Sequence, residues 1–91
     1  MEIKVHLFSI LGDLLPAEAR RGQATVSLSD GATVGDLLRQ LGVDRRLGCQ
    51  ADEVVPRAGW QVTVNDRYEA DPGRVLHDGE LVRIFPPVAG G

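Results

Sequence analysis

Asp30-Gly31-Ala32-Thr33-Val34-Gly35-Asp36-Leu37-Leu38-Arg39-Gln40-Leu41-Gly42 is the stretch on which the reading of this chain turns. Asp30-Gly31 is a turn pair. Thr33 is a good N-cap, and Asp36 stands three residues later, the spacing of a capping box. Val34, Leu37, Leu38 and Leu41 fall at i, i+3, i+4 and i+7, which is one apolar stripe of an amphipathic helix. Gly42 follows in the place where helices commonly stop. The spacing predicts a helix of about eight or nine residues, too short to stand by its own propensity, so it must be held by packing.

Outward from that helix the period changes from 3.6 to two. Ile3, Val5 and Leu7 alternate with Glu2, Lys4 and His6, a half-buried first strand over residues 2–8. Ile10, Leu11, Leu14 and Leu15 suggest a short helical turn closed by Pro16. Ala24, Val26 and Leu28 alternate with Thr25 and Ser27 as a second strand running into the Asp30-Gly31 turn. Residues 43–59 show little periodicity and read as a long loop, with a turn of helix around Ala51–Val55. Trp60, Val62 and Val64 mark a third strand, Asn65-Asp66 a tight turn of positive φ, and Arg67–Glu69 a short return strand. Asp71-Pro72-Gly73 and Asp78-Gly79 are further turns, and Glu80–Phe85 is the last strand.

Strand, strand, helix, strand, short strand, strand is an order with few solutions. The first two strands form a hairpin, the helix crosses the sheet, and the C-terminal strand lies beside the first. The expected fold is α+β: a β-grasp with one mixed sheet of four to five strands packed on one main helix. Its core would join Val34, Leu37, Leu38 and Leu41 to Ile3, Val5, Leu7, Val26, Leu28, Val62, Val64, Val82 and Ile84. Residues 1–85 form the domain, and 86–91 form a flexible C-terminal tail.

Ninety-one residues support one modest core and no deep catalytic cavity. A net charge of −3, with Phe8, Trp60, Tyr68 and Phe85 as the only aromatics besides the histidines, argues against nucleic acid as a partner. Cys49 is the single cysteine, so neither an intramolecular disulfide nor a Cys-rich zinc site can form. It reads as a small apolar residue or idle thiol, against a sulfur-handling role. His6, His77 and Cys49 match no metal-ligand spacing, and no metal or bound cofactor is expected. No stretch approaches the ~20 apolar residues that span a bilayer, and no signal-peptide run opens the chain. The expected setting is the cytoplasm.

The chemistry is expected at the other end. The chain closes on Pro86-Pro87-Val88-Ala89-Gly90-Gly91. Two glycines can thread a narrow channel because they carry no Cβ. Pro86 and Pro87 lack N–H donors, so they end the last strand and keep the tail projecting. Six extended residues reach about 20 Å. An α-carboxylate is ionised at neutral pH and can attack the α-phosphate of ATP. The scattered carboxylates elsewhere single out no acid–base pair. At the root of the tail, strand alternation turns His6 and Phe8 outward, and likewise Leu81, Arg83 and Phe85. Phe8, Leu81 and Phe85 are thus expected to form an exposed apolar patch for a partner.

Ile3–Phe8, the Asp30–Leu38 segment, Val64-Asn65-Asp66-Arg67-Tyr68, Leu76–Val82 and the terminal Phe85–Gly91 together resemble the MoaD/ThiS family of ubiquitin-like sulfur carriers. The ending is closer to MoaD. Asn65-Asp66 stands where the family usually has Asn-Gly, and the stretch around Arg45–Gly59 is long. The resemblance implies that a MoeB/ThiF-like, ubiquitin-activating-type enzyme uses ATP to adenylate Gly91. A sulfur donor then displaces AMP, leaving a thiocarboxylate. Pro86, Pro87, Val88 and Ala89 are expected to bind the partner, with Gly90 and Gly91 as the reactive end. In the MoaD branch the partner is the MoaE-like large subunit of molybdopterin synthase, and the carrier has no activity alone. Sulfur delivery in thiamine, cysteine, tungsten-cofactor or tRNA pathways is the nearest alternative. Covalent attachment of Gly91 to proteins and a purely non-covalent docking module are the others. Lys4 is the only lysine, which leaves little room for chains of a modifier.

Overall fold

The computed structural model describes residues 1–8, 14–15, 21–47 and 61–85. They form strands β1 (Glu2–Leu7), β2 (Gln23–Ser27), β3 (Gln61–Val64), β4 (Arg67–Glu69) and β5 (Leu81–Phe85), with helices α1 (Val34–Leu41) and α2 (Val43–Leu47). The sheet order is β2-β1-β5-β3-β4. β1 pairs antiparallel with β2 and parallel with β5, while β3 pairs antiparallel with both β4 and β5. This is the mixed ubiquitin-like β-grasp sheet with its C-terminal strand beside the first, as the sequence predicts.

Local chemistry sets α1. The Asp36 N–H donates to Thr33 Oγ1 at 3.2 Å and the Thr33 N–H donates to Asp36 Oδ2 at 2.9 Å, so the capping box is closed from both sides. Gly42 ends the helix at φ +84°, its N–H donating to the carbonyls of Leu38 and Arg39. Only glycine takes that left-handed geometry freely. Every residue expected in the core is buried, and Leu15, Ala32, Val43 and Leu76 join them. The Ala32–Gly35 segment is stitched to the 72–76 arm by Val34 N–H to Arg74 O (2.9 Å), Gly35 N–H to Pro72 O (2.8 Å) and Leu76 N–H to Ala32 O (2.8 Å).

One expectation is overturned. Residues 43–47 are not loop but α2, which starts directly after Gly42. Val43 is fully buried, and the Arg46 N–H donates to Gly42 O at 2.9 Å. A single turn carries no readable period; burial of one valine fixes it. The first strand also stops at Leu7, one residue short of expectation, and the second and last strands are shifted or trimmed by one. The helical turn expected at Ala51–Val55, the strand start at Trp60 and most of the turn around Ile10–Pro16 lie outside the described residues. Of the last, Leu15 is buried in the core and Leu14 packs against it.

The Asn65-Asp66 turn has φ +52° and +68°, so Asp66 holds the positive φ that a glycine would otherwise supply. The Asn65 side chain pins it, donating to Glu80 Oε2 at 2.8 Å and accepting from the Leu81 N–H at 3.0 Å. Glu80 is the hub. Arg74 donates to both its oxygens, at 3.1 and 3.0 Å, and the His77 N–H donates at 2.7 Å. The Arg74 bonds, then the His77 N–H and the Asn65 amide, hold the Glu80 carboxyl at about 2 rather than an ordinary 4.5. The ionised group therefore stabilises the fold above about pH 4.5, and that contribution is lost as pH falls from there towards 2. Glu80→Gln should cost about 2 kcal/mol at pH 7, because it breaks a bidentate ion pair whose acceptor is only 12% exposed. Urea titrations should show the difference between the two proteins shrink at pH 3; a constant difference would remove Glu80 ionisation from the account.

Candidate docking face and the root of the tail

α1 covers one face of the sheet, and the other face carries the polar alternates. The pairing fixes the neighbours: Lys4 lies beside Leu81, His6 beside Arg83, Thr63 beside both Arg83 and Tyr68, and Gln61 beside Phe85. Phe8 follows the end of β1, and its ring stacks on Phe85 with centroids 4.7 Å apart and planes 16° apart. His6 stacks on the other side of Phe8 at 4.0 Å. Three plates in a row thus stand where β5 delivers the chain to Pro86.

The patch expected from alternation was Phe8, Leu81 and Phe85, exposed beside the root of the tail. The structure puts these three on the outer face and leaves each half-buried, the two rings of Phe8 and Phe85 shielding one another. His6 is the member the pattern missed. Burial against the rings, then the nearby Arg83 guanidinium, lowers its pKa from the ordinary 6.5, so the imidazole stacks as a neutral plate at pH 7. Spacing places His6 outward, but its stacking on Phe8 is a contact that alternation alone does not show. Arg83 is held by the carboxylate of Asp66. Tyr68 stands 76% exposed on the same face towards the β4 edge. Between Tyr68 and Arg83, the Thr63 hydroxyl is buried and has no hydrogen-bond partner among the described residues.

The residues expected to carry the chemistry, Gly90 and Gly91, and the channel segment Pro86, Pro87, Val88 and Ala89 lie outside the described residues, as does Cys49. Among the described residues no group of three or more His, Cys, Asp or Glu could hold a metal; His77 meets a single carboxylate, Glu80, at 3.6 Å. No helix among them is long and apolar enough to cross a membrane.

Known proteins agree with this geometry. The chain is 32% identical to small archaeal modifier protein 3 of Haloferax volcanii, with all of both chains covered. Its fold superposes on the crystal structure of SAMP1 from Haloferax volcanii with a TM-score of 0.66 at 28% identity, covering 100% of both chains. It superposes on a putative molybdopterin converting factor subunit 1 from Pyrococcus furiosus with a TM-score of 0.67 at 28% identity, covering 96% of this chain and 98% of that one. A sequence model of the ThiS family matches residues 14–91, from the leucine pair before β2 through the final glycine, and with that match the chain belongs to the ThiS family.

Proposed function

We propose that this protein carries sulfur as a thiocarboxylate on Gly91 and delivers it to a pterin precursor as the small subunit of a molybdopterin synthase. The coarser statement, a sulfur carrier or ubiquitin-like modifier of the ThiS/MoaD type, comes with family membership. What supports the finer one is the aromatic stack at the root of the tail. A carrier that hands a group from one enzyme to another needs a surface beside its reactive end, so that docking and threading are one event. The similarity to a molybdopterin converting factor subunit 1 points the same way.

In this reading a partner enzyme binds ATP, and the Gly91 carboxylate attacks the α-phosphate, releasing pyrophosphate. A sulfur donor displaces AMP at the carbonyl, leaving C(O)S⁻. The large subunit then takes the tail into its active site. Nothing in the chemistry requires a bound metal or cofactor on this chain; its residues bind, orient and present. Incubation with ATP, a ubiquitin-activating-type enzyme and sulfide should raise the intact mass by about 16 Da, one oxygen exchanged for sulfur. No gain under conditions where the enzyme turns over ATP would end the carrier reading.

The second reading, a covalent modifier, is favoured by the 32% identity to small archaeal modifier protein 3. It starts from the same acyl-adenylate and differs in the nucleophile, an amine in place of sulfide. Conjugates of higher mass would identify it.

A further inference from the structure

We propose that Lys4 is the acceptor amine at which an activated Gly91 carboxyl from a second copy of this chain forms an amide, and that this bond closes the docking face of the acceptor copy. The inference rests on Gly91 being the carboxyl that is activated, as set out above.

Acyl transfer needs a primary amine that solvent, and the incoming acyl group, can reach. The chain has two, Met1 and Lys4. The fold removes the first. The Met1 amino group donates to Leu28 O at 2.9 Å and faces Asp30 at 3.6 Å, while the Met1 side chain is 5% exposed. It closes the end of the β1–β2 ladder, where the Leu28 N–H donates back to Met1 O at 2.9 Å, so freeing it means unzipping the two strands. Lys4 is the opposite case. Its backbone is fixed in the middle of the sheet, with its N–H donating to Glu80 O at 2.9 Å, while its side chain is exposed on the outer face. Among the described residues, no carboxylate lies within salt-bridge distance of its ammonium.

The ground around Lys4 suits the incoming end. An open concavity runs beside it, lined by Lys4, Gln23, Ala24, Thr25, Leu81 and Arg83. It is shallow, and its one other cation, Arg83, is already engaged by Asp66. A Gly-Gly end has no side chain to clash with such a floor. The lysine Nζ attacks the Gly91 carbonyl carbon of the acyl-adenylate; the C–N bond forms, the C–O bond to AMP breaks, and the amine proton goes to solvent. The donor must be another copy. β5 delivers the tail at Phe85, the end of that strand away from Leu81 and its neighbour Lys4.

The consequence follows from register. Lys4 is the cross-strand neighbour of Leu81. A second folded domain tethered there through six residues stands over Leu81 and the Phe8–Phe85 stack, so an acylated copy cannot dock. Activated carrier that finds no sulfur would in this way be withdrawn from the partners' common surface.

The test is incubation of the protein with a ubiquitin-activating-type enzyme and ATP without sulfide, alongside the same mixture with hydroxylamine. Hydroxylamine should trap Gly91 as its hydroxamate, a gain of about 15 Da, which reports activation alone. Without the trap, a product of twice the chain mass, less one water, should appear. Trypsin should cut the donor after Arg83 and leave Ile84–Gly91 attached at Lys4. Lys4→Arg should lose that product completely while the hydroxamate persists. Hydroxamate without the double-mass product, a product that survives Lys4→Arg, or a single-copy ring would each overturn the assignment. Failure of the hydroxamate itself would instead bring down the activation reading, and this inference with it.

Discussion

Deletion of Gly91 should abolish mass gain in the ATP-and-sulfide assay and leave the melting curve where it was. The two halves of this outcome come from different parts of the molecule. Stability resides in the β-grasp core, from Ile3 to Ile84, and every residue of that core lies before Phe85. Reactivity, in the proposed mechanism, resides in the position of one carboxylate. Loss of one residue draws the carboxylate back by about 3.5 Å. In-line attack on a phosphorus atom needs reacting atoms about 3–3.5 Å apart, and a misplacement of about 1 Å already costs about 100-fold. A truncated tail that ends on Gly90 still has a carboxylate, but it is held several ångströms short, so the loss should exceed 1,000-fold by the same scaling. An extra residue appended after position 91 should fail as completely, and Gly90→Val should fail by adding a branched side chain where the channel admits none. Adenylation is read by pyrophosphate release and sulfur loading by intact mass. Normal loading of the truncated chain would mean that the activated carboxyl is not at Gly91.

The fold was legible where several local signals agreed. At Thr33–Gly42 the cap, the apolar stripe and the stop residue all pointed to one helix, and each is made in the structure with the predicted partner. The Asn65-Asp66 turn was equally clear, because two residues that tolerate positive φ stood between two alternating runs. What stayed hidden was settled by tertiary contact. α2 is one turn long and has no period; only the buried Val43 makes it a helix. Leu76 sits between turns and looks like a loop residue, yet it is almost fully buried because the 72–76 arm is hydrogen-bonded to the segment that enters α1. Glu80 opens the last predicted strand; that it gathers Arg74, Asn65 and His77 depends on contacts up to fifteen residues apart in sequence. The candidate site divides the same way. Alternation placed Phe8, Leu81 and Phe85 on the outer face, but the stacking that draws in His6 and half-buries the rings belongs to a register no single strand reveals.

Phe85→Arg should weaken docking to a molybdopterin-synthase large subunit by about 30- to 1,000-fold, which corresponds to the 2–4 kcal/mol typical of an aromatic hot spot. The substitution removes the terminal plate of the His6–Phe8–Phe85 stack and places a second guanidinium on the strand that already carries Arg83. The domain should stay folded, since Phe85 is half-buried on the outer face and outside the core; the expected cost is about 1 kcal/mol, that of a partly exposed stacking contact. Phe8→Ala separates the charge from the ring. It should weaken docking by a similar order, because Phe8 is the middle plate and its loss frees both neighbours. Tyr68→Ala marks how far the face extends: a loss comparable to that of Phe85 would carry the interface to the β4 edge, and no loss would confine it to the root of the tail. Acid should act in the same direction as these substitutions. The His6 pKa lies below 6.5, so it stays neutral at pH 7 and gains charge beside Arg83 as pH falls below that range, replacing an aromatic plate with a cation. Titration calorimetry at pH 7.5 and 5.5, with His6→Phe as the control that cannot titrate, should show docking weaken with acid only in the parent protein. Equal affinity for parent and Phe85→Arg would leave the tail to recognise its partner alone, and the stacked rings would then be only a cover for the end of β1.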